Sequence, residues 1–306
     1  MQLFVGITMC DSSDNPKSAP TAGTDLDELV TAIRASKKYA HIGEATLRHL
    51  GQIELGKRRN LKDAIKETRN KLHQIGGAYQ DSMHYVAWLS ELAAAVPAAA
   101  AEPAARREIL APILSRIMQH HASTRERLPI LNPFYTTIFQ ALGEVHSILD
   151  VACGLNPLAI PWMPLRPDTA YHALDIYADM TEFIGQCLAL LHVNGSAETC
   201  DVVAALAEPT SAAAQVLRRP VDAAFVLKTI PCLEQVDKRI GSSLLDILGA
   251  KQLVVSFPIQ SLGGKRKGML QHYSAHFAEL MANRPWPVQR LEFESELVFI
   301  VSKTKD

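Results

Sequence analysis

From residue 25 the chain repeats its apolar positions at helical spacing. In LDELVTAIRASKKYA, Leu26, Leu29, Val30 and Ile33 fall on one stripe, with Asp25 placed to cap the start. ATLRHLGQIEL and LKDAIKETRNKLHQIGGAY continue the pattern to Gly76 and Gly77, which signal a stop. Residues 25–95 thus predict three or four packed helices. AAAVPAAAAEPAARR (93–107) is low in complexity, holds two prolines and reads as a linker or loop. EILAPILSRIMQHHASTRERL is a further helix, and NPFYTTIFQALG begins another, with Asn132 as cap and Pro133 in its first turn.

At Ser147 the texture changes to strands alternating with helices. SILDVACG and YHALDIY are the first two strands, a third ends before Cys200, and DAAFVLKTI and LVVSFPI follow. VQRLEFESELVFIVSK has two strand-like halves around a polar centre, suiting an antiparallel pair at a sheet edge. The expected fold class is α/β: a Rossmann-like sheet of seven strands with a closing antiparallel hairpin, preceded by an α-helical domain. That hairpin is what S-adenosylmethionine methyltransferases add to the doubly wound plan. The boundaries predicted are a tail over 1–24, a helical domain over 25–130 and the sheet domain over 131–306.

Composition narrows the classes. At 306 residues and 48% apolar content, the chain can bury one large core or one large and one small. It has no run of about 18 uncharged apolar residues, and the N-terminus lacks the basic start and apolar core of a secretion signal. Five cysteines show no CxxC pair and no histidine spacing suited to zinc, so reduced thiols in the cytoplasm and no metal are expected. The net charge of -1 is unevenly spread: residues 31–132 hold 16 Lys/Arg against 9 Asp/Glu, and the whole excess lies between Arg34 and Lys71. This basic third is either a local contact for a polyanion or a solvated helical face.

ILDVACGLNP (148–157), with LDIY about 20 residues later, is the strongest local signal. Gly154 lets the backbone approach a ligand, and Asp175 at the end of the second strand can accept from both ribose hydroxyls. The turn has one glycine and a proline where a pyrophosphate cradle needs GxGxxG, so a nucleoside without phosphates fits better, and S-adenosylmethionine is the commonest. Asp201 after the third strand either accepts from an adenine amino group or caps the next helix. In HHASTRERL, Ser123 or Thr124 with Glu126 suits a helix cap, and Arg125 with Glu126 suits a solvated pair. Arg127 suits the carboxylate of a methionine moiety. Lys228 in FVLKTIPCLE either reaches the surface or positions the target's phosphate or base. QSLGGKRKGMLQHY (260–273) is either a basic mobile cover or a solvated loop.

Together, HASTRER, LDVACGLNPLA, Asp175, FxLKxxPxLE, VSFPxxSLGGxxKGM, SKKY and KLHQIGGAY resemble the aminoglycoside-resistance 16S rRNA methyltransferases that act on N7 of guanine 1405. The likeness runs in order from about Leu26 to Lys303 and leaves out 1–24 and 93–105. It implies a cofactor site of Tyr79, His121, Ala122, Ser123, Thr124, Arg125, Glu126, Arg127, Ala152, Gly154, Asp175, Asp201, Val202 and Leu227. Tyr79 on its own reads equally as a core aromatic. The resemblance further implies that the helical domain docks on 16S rRNA within the 30S subunit, which agrees with the basic segment. RNA contacts are expected from Arg34, Lys37, Lys38, Lys57, Arg58, Arg59, Lys228, Lys265, Arg266, Lys267 and Met269. The activity implied is methyl transfer from S-adenosylmethionine, giving resistance to 4,6-disubstituted deoxystreptamine aminoglycosides.

Guanine N7 carries a lone pair and no proton, so no general base is expected, only alignment and exclusion of water. A flipped target base and a monomer, without membrane or obligate protein partner, complete the expectation. The rivals are a methyltransferase for a small molecule, a protein or another rRNA position such as an adenine N1, and a noncatalytic RNA-binding protein.

Overall fold

The computed structural model describes residues 22–77, 79–101, 105–259 and 268–303. Its helical half opens with α1 (Ala22–Arg34), α2 (Glu44–Lys57) and α3 (Leu61–Leu72). The stripe predicted for α1 faces inward: Leu29, Val30 and Ile33 are buried and Leu26 packs on the same core. α2 closes onto α1 at Gly51, where a Cβ would stand 2.6 Å from Leu29. Asn60 caps α3 by accepting from the Asp63 N–H at 2.9 Å. α4 (Tyr85–Ala101) and α5 (Arg106–Met118) pack together, and the short α6 (Ala122–Arg127) leads into α7 (Leu131–Leu142).

Local expectations are corrected here. α1 begins at Ala22, inside the span expected as tail, and Asp25 lies in its first turn and not at its cap; 1–21 lie outside the described residues. α4 runs through much of the stretch expected to be a loop, with Pro97 inside it. Alanine is the best helix former, and buried Leu92 and Ala99 anchor the helix on both sides of the proline. Residues 102–104 lie outside the described residues. α7 starts one residue before Asn132, with Ile130 at its cap position.

The strands are β1 (Ser147–Val151), β2 (Ala170–Asp175), β3 (Gly195–Thr199), β4 (Val221–Leu227), β5 (Ala250–Pro258), β6 (Val288–Glu292) and β7 (Glu296–Ser302). They form one sheet in the order β3-β2-β1-β4-β5-β7-β6. The first five are parallel, and β7 runs antiparallel between β5 and β6, as the closing hairpin requires. The connecting helices are α8 (Ala178–Leu190), α9 (Val202–Ala207), α10 (Ala212–Leu217), α11 (Thr229–Leu233), α12 (Ile240–Ile247) and α13 (Met269–Met281).

Side chains alternate across the sheet. Ile148 and Phe225 face a core shared with Leu29 and Leu47 of the helical half, while Leu149 and Val226 face a second core with Leu217 and Leu244. The helical half is therefore joined to the sheet by common apolar packing. Strand order reverses between β1 and β4, which opens a crevice beyond their carboxyl ends. Among the described residues no helix is long and apolar enough to cross a membrane.

Candidate active site

The crevice is built on the turn after β1. Ala152 and Gly154 both have left-handed backbones, φ 52° and 53°. Only the glycine is forced by space as well: a Cβ there would stand 2.6 Å from the His121 ring. The Gly154 N–H donates to Asp175 Oδ2 at 2.8 Å, and Ile176 N–H donates to Oδ1 at 2.8 Å. Tyr177 N–H adds a longer bond at 3.3 Å. Burial still wins, pushing the Asp175 carboxyl up to about 6.

Asp201 caps the next helix, as one of its two readings expects. Its Oδ1 accepts from Val203 and Ala204 N–H at 2.9 and 3.1 Å and caps α9, while Oδ2 is buried with no partner among the described residues. Asp175 and Asp201 line one cavity with Ala152, Val202, Leu227 and Lys228. The space amounts to about 740 Å³ including the open solvent at its mouth. The helical half supplies the opposite wall through Thr46, Ile75, Gly76, Tyr79 and Gln80. Gly76 sits in a single π turn, His73–Gly77, where a Cβ would meet the Tyr177 ring at 2.8 Å. Gly76, read as part of a helix stop, thus also permits close approach to the residues that follow β2.

Of the HASTRER run, His121 and Ser123 line the cavity. Ala122 N–H donates to the Tyr79 carbonyl at 2.8 Å, and the Tyr79 and His121 rings stack at 6.3 Å. Burial, with Arg127 and Lys228 nearby, pushes His121 down to about 4, so its imidazole is neutral at pH 7. Thr124 turns its hydroxyl onto the Met118 carbonyl at 2.6 Å. Arg125 faces outward and pairs with Asp81 at 2.6 Å.

Arg127 departs from expectation. It is 1% exposed and does not line the cavity. Its Nε and Nη2 donate to the two oxygens of Glu296 at 2.6 and 3.0 Å, and Nη1 donates to Asn156 at 2.7 Å. The carboxylate it grips is the chain's own. Lys228 does not reach the surface: Nζ lies 2.7 Å from Glu126 and 3.3 Å from Glu296, and its backbone is left-handed at φ 58°. Burial opposes the charge on Glu296, yet Arg127 and Lys228 together hold its carboxyl below the ordinary range. Glu126 thereby ties α6 to the end of β4.

The predicted RNA residues Arg34, Lys37, Lys38, Lys57, Arg58 and Arg59 are all exposed. Arg34 pairs with Glu44 and Arg58 with Glu54, whereas Lys37 and Arg59 have no ion pair among the described residues. Lys38 packs over Gly77 beside the cavity wall and meets His73 Nδ1 at 2.9 Å. Met269 opens α13 and is half-buried. Lys265, Arg266 and Lys267 lie outside the described residues.

Sequence reasoning misses Thr46, Gln80, Tyr177, Met180 and Cys232 in the wall. Tyr177 and Gln80 adjoin motifs that it does find, while Thr46 carries no local signal. A nucleoside of the expected kind fits the polar atoms present. Thr46 Oγ1, Gln80 Nε2, His121 Nδ1 and Asp201 Oδ2, from residues of one cavity, are all buried and without a partner among the described residues.

The chain matches the model of the family described as ribosomal RNA methyltransferase (FmrO) over residues 35–300. It is similar to a 16S rRNA (guanine(1405)-N(7))-methyltransferase of Micromonospora rosea, 37% identical over 92% of this chain and 98% of the relative. One of the same name from Serratia marcescens is 29% identical over 91% and 99%. The solved 16S rRNA methyltransferase RmtF, in complex with S-adenosyl-L-homocysteine, superposes with a TM-score of 0.72 at 28% identity, covering 92% and 98%. For the 16S rRNA methylase RmtB the values are 0.69, 26%, 91% and 98%. With its seven-stranded sheet, its crevice and these relatives along nearly its full length, the chain belongs to the ribosomal RNA methyltransferase (FmrO) family.

Proposed function

We propose that the protein transfers the methyl group of S-adenosylmethionine to N7 of guanine 1405 in 16S ribosomal RNA of assembled 30S subunits. The modification gives resistance to 4,6-disubstituted deoxystreptamine aminoglycosides. One observation carries the reading: Asp175 and Asp201, at the ends of adjacent strands, share a cavity, and the second holds an unused buried oxygen. Relatives over nearly the whole chain bear this activity in their names.

The bound nucleoside supplies an electrophilic methyl on a cationic sulfur. Asp175 accepts from the ribose hydroxyls, since Oδ2 takes a single N–H and keeps acceptor capacity. Asp201 Oδ2 accepts from the adenine amino group, and Val202, Met180 and Leu227 give the apolar walls that keep water out. Guanine N7 has no proton to lose, so the residues at hand need not take one. A neutral His121 and a Lys228 held by two carboxylates agree with a site that works by alignment. Lys228 is then a positioning residue, holding α6 and with it Ser123 and His121 over the crevice.

The exposed face of Arg34, Lys37, Lys38, Lys57, Arg58 and Arg59 docks on the subunit, its Lys38 edge adjoining the cavity wall. The enzyme works in the cytoplasm as a monomer, because a large rigid substrate supplies the remaining contacts. Purified 30S subunits incubated with S-adenosylmethionine, then treated with borohydride and aniline, should break at nucleotide 1405 by primer extension. Breakage elsewhere, or none, overturns the reading.

A further inference from the structure

Thr46 stands in the first turn of α2, 1% exposed, and its hydroxyl makes no hydrogen bond among the described residues. Helical threonines commonly satisfy that group on the carbonyl four residues back. Thr31 does so with Asp27 and Thr68 with Ala64, both at 2.8 Å. Thr46 is too near the helix start for this. The residue four back is Ile42, which precedes the helix and is bridged to Tyr177 at the end of β2.

A valine would fill the same space without an idle polar atom, so the hydroxyl calls for a partner that the described residues do not supply. It lines the cavity together with Met180, Asp201 and Val203, and α2 packs against α9, the helix that Asp201 caps. Two idle buried groups thus belong to one crevice, on helices that pack together: a carboxylate oxygen that only accepts and a hydroxyl that can donate. Adenine presents the complement, an amino group that donates beside ring nitrogens that accept.

We infer that Thr46 is a cofactor-recognition residue whose hydroxyl donates to N1 or N7 of adenine, next to the amino group accepted by Asp201 Oδ2. The inference rests on the reading of the cavity as the S-adenosylmethionine site. It makes the helical half part of the nucleoside site as well as a docking face, and the same helix carries Lys57 at its far end.

Calorimetry of the full chain with S-adenosylhomocysteine and its 1-deaza and 7-deaza analogues tests the assignment. Thr46→Val should weaken S-adenosylhomocysteine binding about tenfold, with Thr46→Ser within about threefold of the parent. Against one of the two deaza analogues the parent and Thr46→Val should bind equally. Thermal unfolding without ligand should show Thr46→Val melting no lower than the parent, with a smaller upward shift when S-adenosylhomocysteine is added. Unchanged affinity in Thr46→Val, or an equal loss against all three ligands, overturns the assignment and leaves the methyltransferase reading intact. Failure of the parent itself to bind S-adenosylhomocysteine overturns both.

Discussion

Arg127 and Glu296, 169 positions apart, close a two-bonded ion pair in which the side chains are 1% and 0% exposed. The pair ties the segment before β1 to the first residue of β7, and Lys228 at the end of β4 joins it at 3.3 Å. Ser256 adds a hydroxyl donor to Glu296 at 2.8 Å. Such a cluster gains little over apolar packing of the same volume, but removing one member leaves bare charge in the interior.

Glu296→Ala should accordingly lower the unfolding free energy by about 3–5 kcal/mol, read by chemical denaturation. Glu296→Gln, which keeps hydrogen-bonding capacity, should lose less. A loss below about 1 kcal/mol in Glu296→Ala would mean that the two cations find other partners.

Asp175 links pH to both stability and binding. Its folded carboxyl titrates at about 6, above the unfolded value of about 3.9. Its contribution to stability is thus complete below about pH 4 and lost as pH rises through about 6. Nucleoside binding follows the opposite sense, because only the ionised carboxylate accepts from both ribose hydroxyls. Affinity for S-adenosylhomocysteine should fall about tenfold between pH 7 and pH 5. Asp150 is raised to about 6 by the same burial but does not line the cavity, so it shares the stability trend alone. Asp175→Asn should lower affinity throughout and flatten the profile; titration calorimetry across that range checks both.

Gly154→Ala places a methyl 2.6 Å from the His121 ring in a backbone with φ 53°. The left-handed conformation alone costs about 1–2 kcal/mol, and the ring must move from the cavity wall. Affinity for S-adenosylhomocysteine should drop more than about tenfold. An unaffected binding constant would show that the turn relaxes without disturbing the site.

Lys57 and Arg59 test the docking face. Replacing both by alanine should weaken binding to 30S subunits and reduce the slope of log affinity against log salt by about 1.5, with S-adenosylhomocysteine affinity unchanged. Filter binding over a salt series reads both effects. An unaltered slope would make the two cations solvated surface.

How far the site is legible depends on the reach of each interaction. The turn at Gly154 and the acid at Asp175 carry their meaning within one strand–helix–strand unit, so local pattern suffices. In the sequence Asp201 offers a choice between cap and ligand; in the fold one oxygen takes the α9 N–H groups and the other has no partner among the described residues. The alanine-rich stretch misleads because low complexity suggests a loop, while propensity and buried Leu92 and Ala99 favour a helix. Arg127 is expected to grip a carboxylate, and in the fold the one it holds belongs to Glu296, 169 positions on.

Taken alone, the order of apolar periods determined a parallel sheet with an edge hairpin, since strands separated by helices permit little else, and the spacing of glycine and acid marked the turn after β1 and the acid ending β2, which the fold joins by a hydrogen bond. Tertiary structure decided which distant groups meet: Glu296 on Arg127, Glu126 on Lys228, and Thr46 at the cavity wall. Periodicity reports which face of an element is buried. It is blind to which residue, a hundred or more positions away, packs against that face, because that pairing arises only when the whole chain closes its cores at once.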